Sequence, residues 1–432
     1  MKNACLLLLL LLVLSHGAMA QEPKASAGPF ALINATIETV TQGTQRGTLL
    51  IRGGLIEALG EEVTIPEDAE VIDCAGLTLY PGLIDGGNHV GLSEVGSIDL
   101  TQDYDELGDI TPQAQALTAV NPNSVVIPIT RTNGVTTGLT MPDNGLFPGT
   151  AALINFHGYT PEQMSMGFQA PILNFPTGAR RSRYDRRSDE DIAKARKKAL
   201  EELASVWEKV AAYHRIDSLA ALGEAETPAY YPEMAALLPA YRGESKLLIE
   251  VNAAQDIEEA LKWVKQQPRV SPIFMGVSEG WRVAKALAEA KVPVITGPVL
   301  SLPTREYDRY DRPYANAGLM HAAGVTVALR TNDTENARNL PYQAGFAAAY
   351  GLGREEALRA VTIVPAQLFG VADQLGSLEV GKQATLFAAT GDPFEPQTQI
   401  AHVFIAGWLL PQSSRQIRLY EEFLERSPGV DR

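Results

Sequence analysis

Six histidines and two cysteines bound the chemistry open to this chain. No Gly-x-Ser-x-Gly elbow marks an exposed serine nucleophile. Neither a P-loop nor a dinucleotide-binding fingerprint is present. Cys74 lies early, among short strand-like segments, which argues against a cysteine nucleophile. The stretch 179–187 is dense in arginine, with Arg180, Arg181, Arg183, Arg186 and Arg187. Such a cluster would suit an anion, although the plainer reading of a charge run is a solvated loop.

The elements that must carry any site begin after residue 20. Met1, Lys2 and Asn3 give a charged start, an apolar run follows from Leu6 to Leu14, and Ala18-Met19-Ala20 closes the segment. This pattern reads as a cleaved secretory signal peptide, residues 1–20, and places the protein in the periplasm or outside the cell. A membrane anchor is the alternative, but a spanning helix needs about 20 apolar residues. Cleavage leaves Cys74 as the one cysteine, so a large core rather than disulfides must hold the fold. The length suits one large domain plus a smaller one. A formal net charge of −15 argues against nucleic acid and against anionic membrane surfaces.

Residues 29–80 read as short strands, with Gly53-Gly54 as a tight hairpin turn. Residues 384–388 and 402–407 are again strand-like. A few strands at each end can hardly close two cores, so residues 28–80 and 376–412 are expected to form one composite β-sandwich domain. Between them, residues 81–375 alternate apolar strands with amphipathic helices, which implies parallel strands and helical crossovers. The strand candidates are 79–84, 135–139, 153–156, 172–175, 247–251, 272–275, 292–295 and 325–329, with helices at 256–266, 279–290 and 354–361. Eight strands suit an α/β fold of the (β/α)8 TIM-barrel type; a doubly wound open sheet is the alternative. Ser188 and Asp191 read as an N-cap with an acidic first turn.

Four stretches in order resemble the amidohydrolase superfamily, in its imidazolonepropionase-like and dipeptidase-like branch. They are Tyr80-Pro81-Gly82-Leu83-Ile84-Asp85, then Asn133-Gly134-Val135-Thr136-Thr137, then residues 339–366 with Glu355-Glu356-Ala357-Leu358. The last is Leu375-Gly376-Ser377-Leu378-Glu379-Val380-Gly381-Lys382, followed by Gly391-Asp392-Pro393. The resemblance implies a barrel with a composite β-domain and hydrolysis of C–N bonds in amides, dipeptides or small cyclic compounds. It supports the fold better than the chemistry.

Members of that superfamily hold one or two divalent metals, often zinc, which lower the pKa of a bound water to about 7. The resemblance puts a His-x-His pair on strand one, histidines on strands five and six, and an aspartate after strand eight. Here those positions are Gly87 and His89, then Glu250-Val251-Asn252, then Gly276, then Asn332. His89 is thus the one surviving expected metal ligand, and Asn332 carries no charge to act as a base. A catalytic zinc usually needs about three protein ligands, so no cofactor is expected. A site rebuilt from His89, His157, Glu250 and Asp333 is the exception to test. Glu250 with Asp333 is also a metal-free acid–base candidate, and Asn252, Asn332 and His157 are candidates for holding a substrate.

Two functions follow as expectations. One is a hydrolase of C–N bonds with a reduced or rearranged metal site. The other is a non-catalytic relative that binds a small molecule or a protein partner. A small-molecule ligand is expected, nucleic acid is not, nor is a membrane after signal cleavage, and no feature specifies an oligomeric state.

Overall fold

A computed structural model describes residues 24–179 and 186–426. The signal-peptide segment and Arg180, Arg181 and Arg183 of the arginine cluster lie outside the described residues. Strands from both ends of the chain share one nine-stranded sheet. In it Thr78–Pro81 pairs antiparallel with Leu386–Ala389, and Phe30–Glu38 pairs with Thr44–Arg52. Its core draws on both segments: Phe30 meets Phe404 edge-on at a centroid distance of 5.3 Å, with Leu49, Ile51 and Leu386 fully buried around them. Gly53 and Gly54 both have positive φ and turn the hairpin between Thr44–Arg52 and Leu55–Gly60. Cys74 is buried in this core, which pushes its thiol up to about 11 and leaves it a poor nucleophile.

The second sheet has eight strands in sequential order. They are β1 (Leu83–Asn88), β2 (Val135–Thr140), β3 (Thr150–Asn155), β4 (Ser165–Asn174), β5 (Lys246–Val251), β6 (Ser271–Gly276), β7 (Val294–Thr296) and β8 (Val327–Leu329). The sheet curls until its edges meet, where the N–H of Asn332 donates to the carbonyl of Gly87 at 2.9 Å. Helices Ala254–Lys265, Gly280–Ala290 and Arg354–Ala360 lie where the hydrophobic periodicity predicts them. The long helix Asp189–Ala221 starts at Ser188, whose hydroxyl accepts from the N–H of Asp191 at 3.1 Å.

Two expectations need correction. Residues 79–84 are not one strand. The chain turns at Gly82, where a β-carbon would lie 2.1 Å from Oγ1 of Thr136. The part before the turn joins the terminal sheet and the part after it starts β1. The barrel is also not all-parallel, because β3 runs antiparallel to both β2 and β4. Only residues 141–149 join β2 to β3, whereas a parallel crossover needs a dozen or more residues.

Candidate active site

The carboxyl ends of β1, β5, β6 and β8 converge at one end of the barrel. There Arg330, just past β8, is 2 % exposed and points inward. Its Nη1 and Nη2 donate to Oε2 and Oε1 of Glu250 on β5 at 2.7 and 2.8 Å, a bidentate pair. Nδ2 of Asn252 also donates to Oε1 of Glu250, at 2.9 Å. Asn252 in turn accepts from the hydroxyl of Ser278 at 2.8 Å.

The two glycines at the expected ligand positions are filled in from their surroundings. A β-carbon on Gly87 would meet Sδ of Met141 at 2.9 Å and Cδ of Arg330 at 3.1 Å. The arginine stem therefore occupies the space beside the bare strand. Gly276 has φ +78, and a β-carbon there would lie 2.4 Å from both Oε1 of Glu250 and Oδ1 of Asn252. Strand six approaches strand five this closely only because residue 276 has no side chain.

His89 survives in a defined state. Its Nδ1 lies 2.8 Å from the carbonyl of Met141. A carbonyl only accepts, so Nδ1 carries the proton and Nε2 keeps its lone pair when the ring is neutral. Burial holds the ring below the ordinary imidazole pKa, with Arg330 acting the same way against the pull of Asp143 and Asp333. Tyr104 lies against the imidazole at a centroid distance of 4.7 Å.

Asp85 was not singled out by its sequence position, yet it is fully buried beside these groups. It accepts from the N–H of Thr331 at 2.9 Å, from the Thr331 hydroxyl at 2.5 Å and from the N–H of Gly87 at 3.2 Å. It thereby ties β1 to the end of β8. Burial pushes its carboxyl up to about 6, against the hydrogen bonds from Thr331 and Gly87. The folded chain then holds this proton more tightly than the unfolded chain. That contribution to stability is complete below the ordinary aspartate value of 3.8 and is lost as pH rises through about 6. Asp85→Asn keeps an acceptor for Thr331 and removes the titration. Denaturant unfolding of this variant between about pH 4 and pH 7 should show a smaller decline with pH than the parent chain. An unchanged slope would refute the assignment.

The remaining candidates divide. Asn332 is exposed with φ +52 at the barrel's closing seam. Asp333 accepts from the N–H and the side-chain amide of Asn336 at 3.0 and 3.2 Å, and its carbonyl accepts from the N–H of His89. His157 does not join them. It follows β3, and because β3 is reversed, its carboxyl end lies at the opposite end of the barrel. There the ring packs 5.8 Å from Trp408 of the terminal sheet. The four-residue set of His89, His157, Glu250 and Asp333 is therefore not assembled. Among the described residues no group of three or more His, Cys, Asp or Glu side chains is placed to hold a metal ion. A divalent ion bound as the resemblance implies does not fit: two ligand positions lack side chains, and a guanidinium already satisfies the carboxylate of Glu250. The mouth is thus centred on an ion pair, not on the neutral polar groups that the substitutions alone suggest.

Arg330 is the residue that reading by family positions missed. The signal was present: an arginine closes the apolar run 325–329, two residues before the expected aspartate position. A groove of about 580 Å³ lies elsewhere, lined by Phe168, Lys246, Ser271 and Phe369 at the amino ends of β5 and β6. It is remote from these groups.

Residues 277–410 match the amidohydrolase family. The amidohydrolase tasK of Hapsidospora irregularis is 23% identical over 397 residues, covering 84% of this chain and 39% of that protein. An imidazolonepropionase of Colwellia psychrerythraea is 41% identical over 71 residues, 13% of this chain and 17% of that protein. The chain therefore spans about two fifths or less of these curated relatives. Among solved structures, an amidohydrolase from Thermotoga maritima superposes with a TM-score of 0.78 at 24% identity, covering 89% of this chain and 100% of the other. A prolidase complexed with N-methylphosphonate-L-proline gives 0.54 at 16% identity, covering 89% and 100%.

Proposed function

We propose that this chain, which resembles the amidohydrolase superfamily in residues 277–410 and in its fold, binds a small molecule at the barrel mouth without the metal-dependent hydrolysis usual for that superfamily. The observation that carries this reading is the Arg330–Glu250 pair. Its guanidinium supplies a fixed positive charge inside the barrel, and its stem fills the space beside Gly87. A divalent ion placed there would face a buried like charge and would have to compete for the only carboxylate on β5. Asn332 adds no base for deprotonating a water.

The alternative is a hydrolase of amide, dipeptide or cyclic C–N bonds with a rearranged site. Turnover on N-acyl amino acids, dipeptides and cyclic amides, with and without a chelator, separates the two. The proposed binding role expects no chelator-sensitive turnover. Chelator-sensitive hydrolysis would overturn it.

The proposed place of action is the periplasm or the exterior, supported by the charged start, the apolar run and Ala18-Met19-Ala20. The intact mass of the exported protein should correspond to a chain beginning at Gln21. A mass retaining residues 1–20 would reject export by cleavage.

A further inference from the structure

Strands β4 and β5 part at the amino end of β5. Their parallel pairing starts at Ile172 and Leu248, so Lys246 and Leu247 are in register only with Ser271 and Pro272 of β6. Before Ile172, β4 bulges: residues 166–168 all fall between the pairs Ser165–Ile154 and Gln169–Ala152. A bulge re-aims the side chains it carries. Here Phe168 stands against Phe369, just past the helix Ile363–Leu368, with ring centroids 4.8 Å apart. The space left open is the groove of about 580 Å³, within the range of about 300–1,000 Å³ usual for small-molecule sites. Lys246 is the one cation among the residues that line it. The two-residue period of a strand sets it on the same face of β5 as Glu250, but at the far end from the mouth. Its Nζ donates to Oγ of Ser271 at 2.8 Å. Among the described residues no carboxylate pairs with it, although Glu244 also lines the groove. The ammonium keeps two further N–H groups to donate, and the serine hydroxyl keeps its own proton.

We propose that this groove is a second ligand site, separate from the mouth, which takes an aryl carboxylate. The carboxylate accepts from Nζ of Lys246 and from the hydroxyl of Ser271, and the aryl ring packs against Phe168 and Phe369. A partly buried ammonium without a carboxylate of its own selects an anion, because a charge-assisted hydrogen bond is the strong kind. The two phenylalanine rings select an aromatic body. A second negative charge on the ligand, as on a phosphate monoester, would face Glu244 with no second cation to meet it.

Calorimetric titration of the full mature chain with phenylacetate, benzylammonium and acetate tests this. Phenylacetate should bind. Benzylammonium, with the same ring and the opposite charge, and acetate, with the same charge and no ring, should each bind roughly tenfold or more weakly. Lys246→Met should weaken phenylacetate binding by roughly tenfold or more, and Lys246→Arg should keep most of it. Glu244→Gln should tighten binding severalfold, because it removes the like charge. Glu244→Gln also serves if Lys246→Met does not fold, since a purely structural role for the groove predicts no gain.

The inference is overturned if phenylacetate does not bind, or binds equally to the parent chain, to Lys246→Met and to Glu244→Gln. It is also overturned if benzylammonium or acetate binds as tightly as phenylacetate. The reading of the mouth is judged separately, by metal content and chelator-sensitive turnover. A metal-free chain that ignores phenylacetate keeps that reading and loses this inference.

Discussion

Replacing Arg330 with methionine is expected to cost the folded chain about 3–5 kcal/mol. Methionine keeps an apolar stem beside Gly87, so the loss reports the charge rather than a cavity. What it leaves behind is Glu250, whose side chain is 24% exposed and which would lose two of its hydrogen-bond donors. Removing one member of a buried pair is costly because the other charge stays buried without compensation. Adding Glu250→Gln to the same chain removes that charge and should recover a large part of the loss. Thermal and denaturant unfolding of the parent, both single variants and the double variant would give the coupling. A cost for Arg330→Met within about 0.5 kcal/mol of zero, the range of ordinary surface substitutions, would mean that the pair is not the centre of the mouth.

Gly276→His, which restores an imidazole where the resemblance expects one, should be more damaging still. The backbone at 276 is left-handed, and the new β-carbon would lie 2.4 Å from an oxygen of Glu250 and an oxygen of Asn252. Left-handed backbone costs a β-carbon roughly 1–2 kcal/mol before any clash. Displacing Glu250 and Asn252, which are bonded to each other, with Glu250 also paired to Arg330, adds to it. The expected result is a loss above about 4 kcal/mol or no soluble folded protein. Gly87→His should be milder, because the nearest atoms are the flexible ends of Met141 and Met275 and the arginine stem. Soluble yield and melting temperature of the two variants check the order. A Gly276→His chain that melts with the parent would show that strands five and six are not this close.

Much of this arrangement was legible in the sequence, for reasons that also mark where the reading fails. Helices such as Ala254–Lys265 and Gly280–Ala290 carry a regular apolar stripe, which fixes their place without tertiary information. The composite terminal sheet followed from the number of short strands at each end. The reversal of β3 was not legible from apolar periodicity, since a buried strand has no direction in its composition. The signal was the short connection 141–149. That miss carried His157 to the wrong end of the barrel, because a residue after a reversed strand leaves by the opposite face. His89, Glu250, Asn252, Gly276 and Asn332 do gather at one end, since the resemblance sets each at the carboxyl end of its strand. What family positions do not reveal is what fills the space that a lost side chain leaves. Gly87 and Gly276 say only that two side chains are missing. That Arg330 reaches one gap and Glu250 and Asn252 close over the other depends on side-chain direction across the barrel.

Elemental analysis of protein purified without chelators decides whether the barrel mouth holds a metal. It should find far less than one tightly bound divalent metal per chain. The reason is donor count and charge: among the described residues His89 is the only imidazole at the mouth, Gly87 and Gly276 offer no ligand, and Glu250 is held by Arg330. Zinc, manganese or iron at one per chain, surviving dialysis and lost only to a chelator, would contradict it and restore the superfamily's metal-dependent chemistry to this protein.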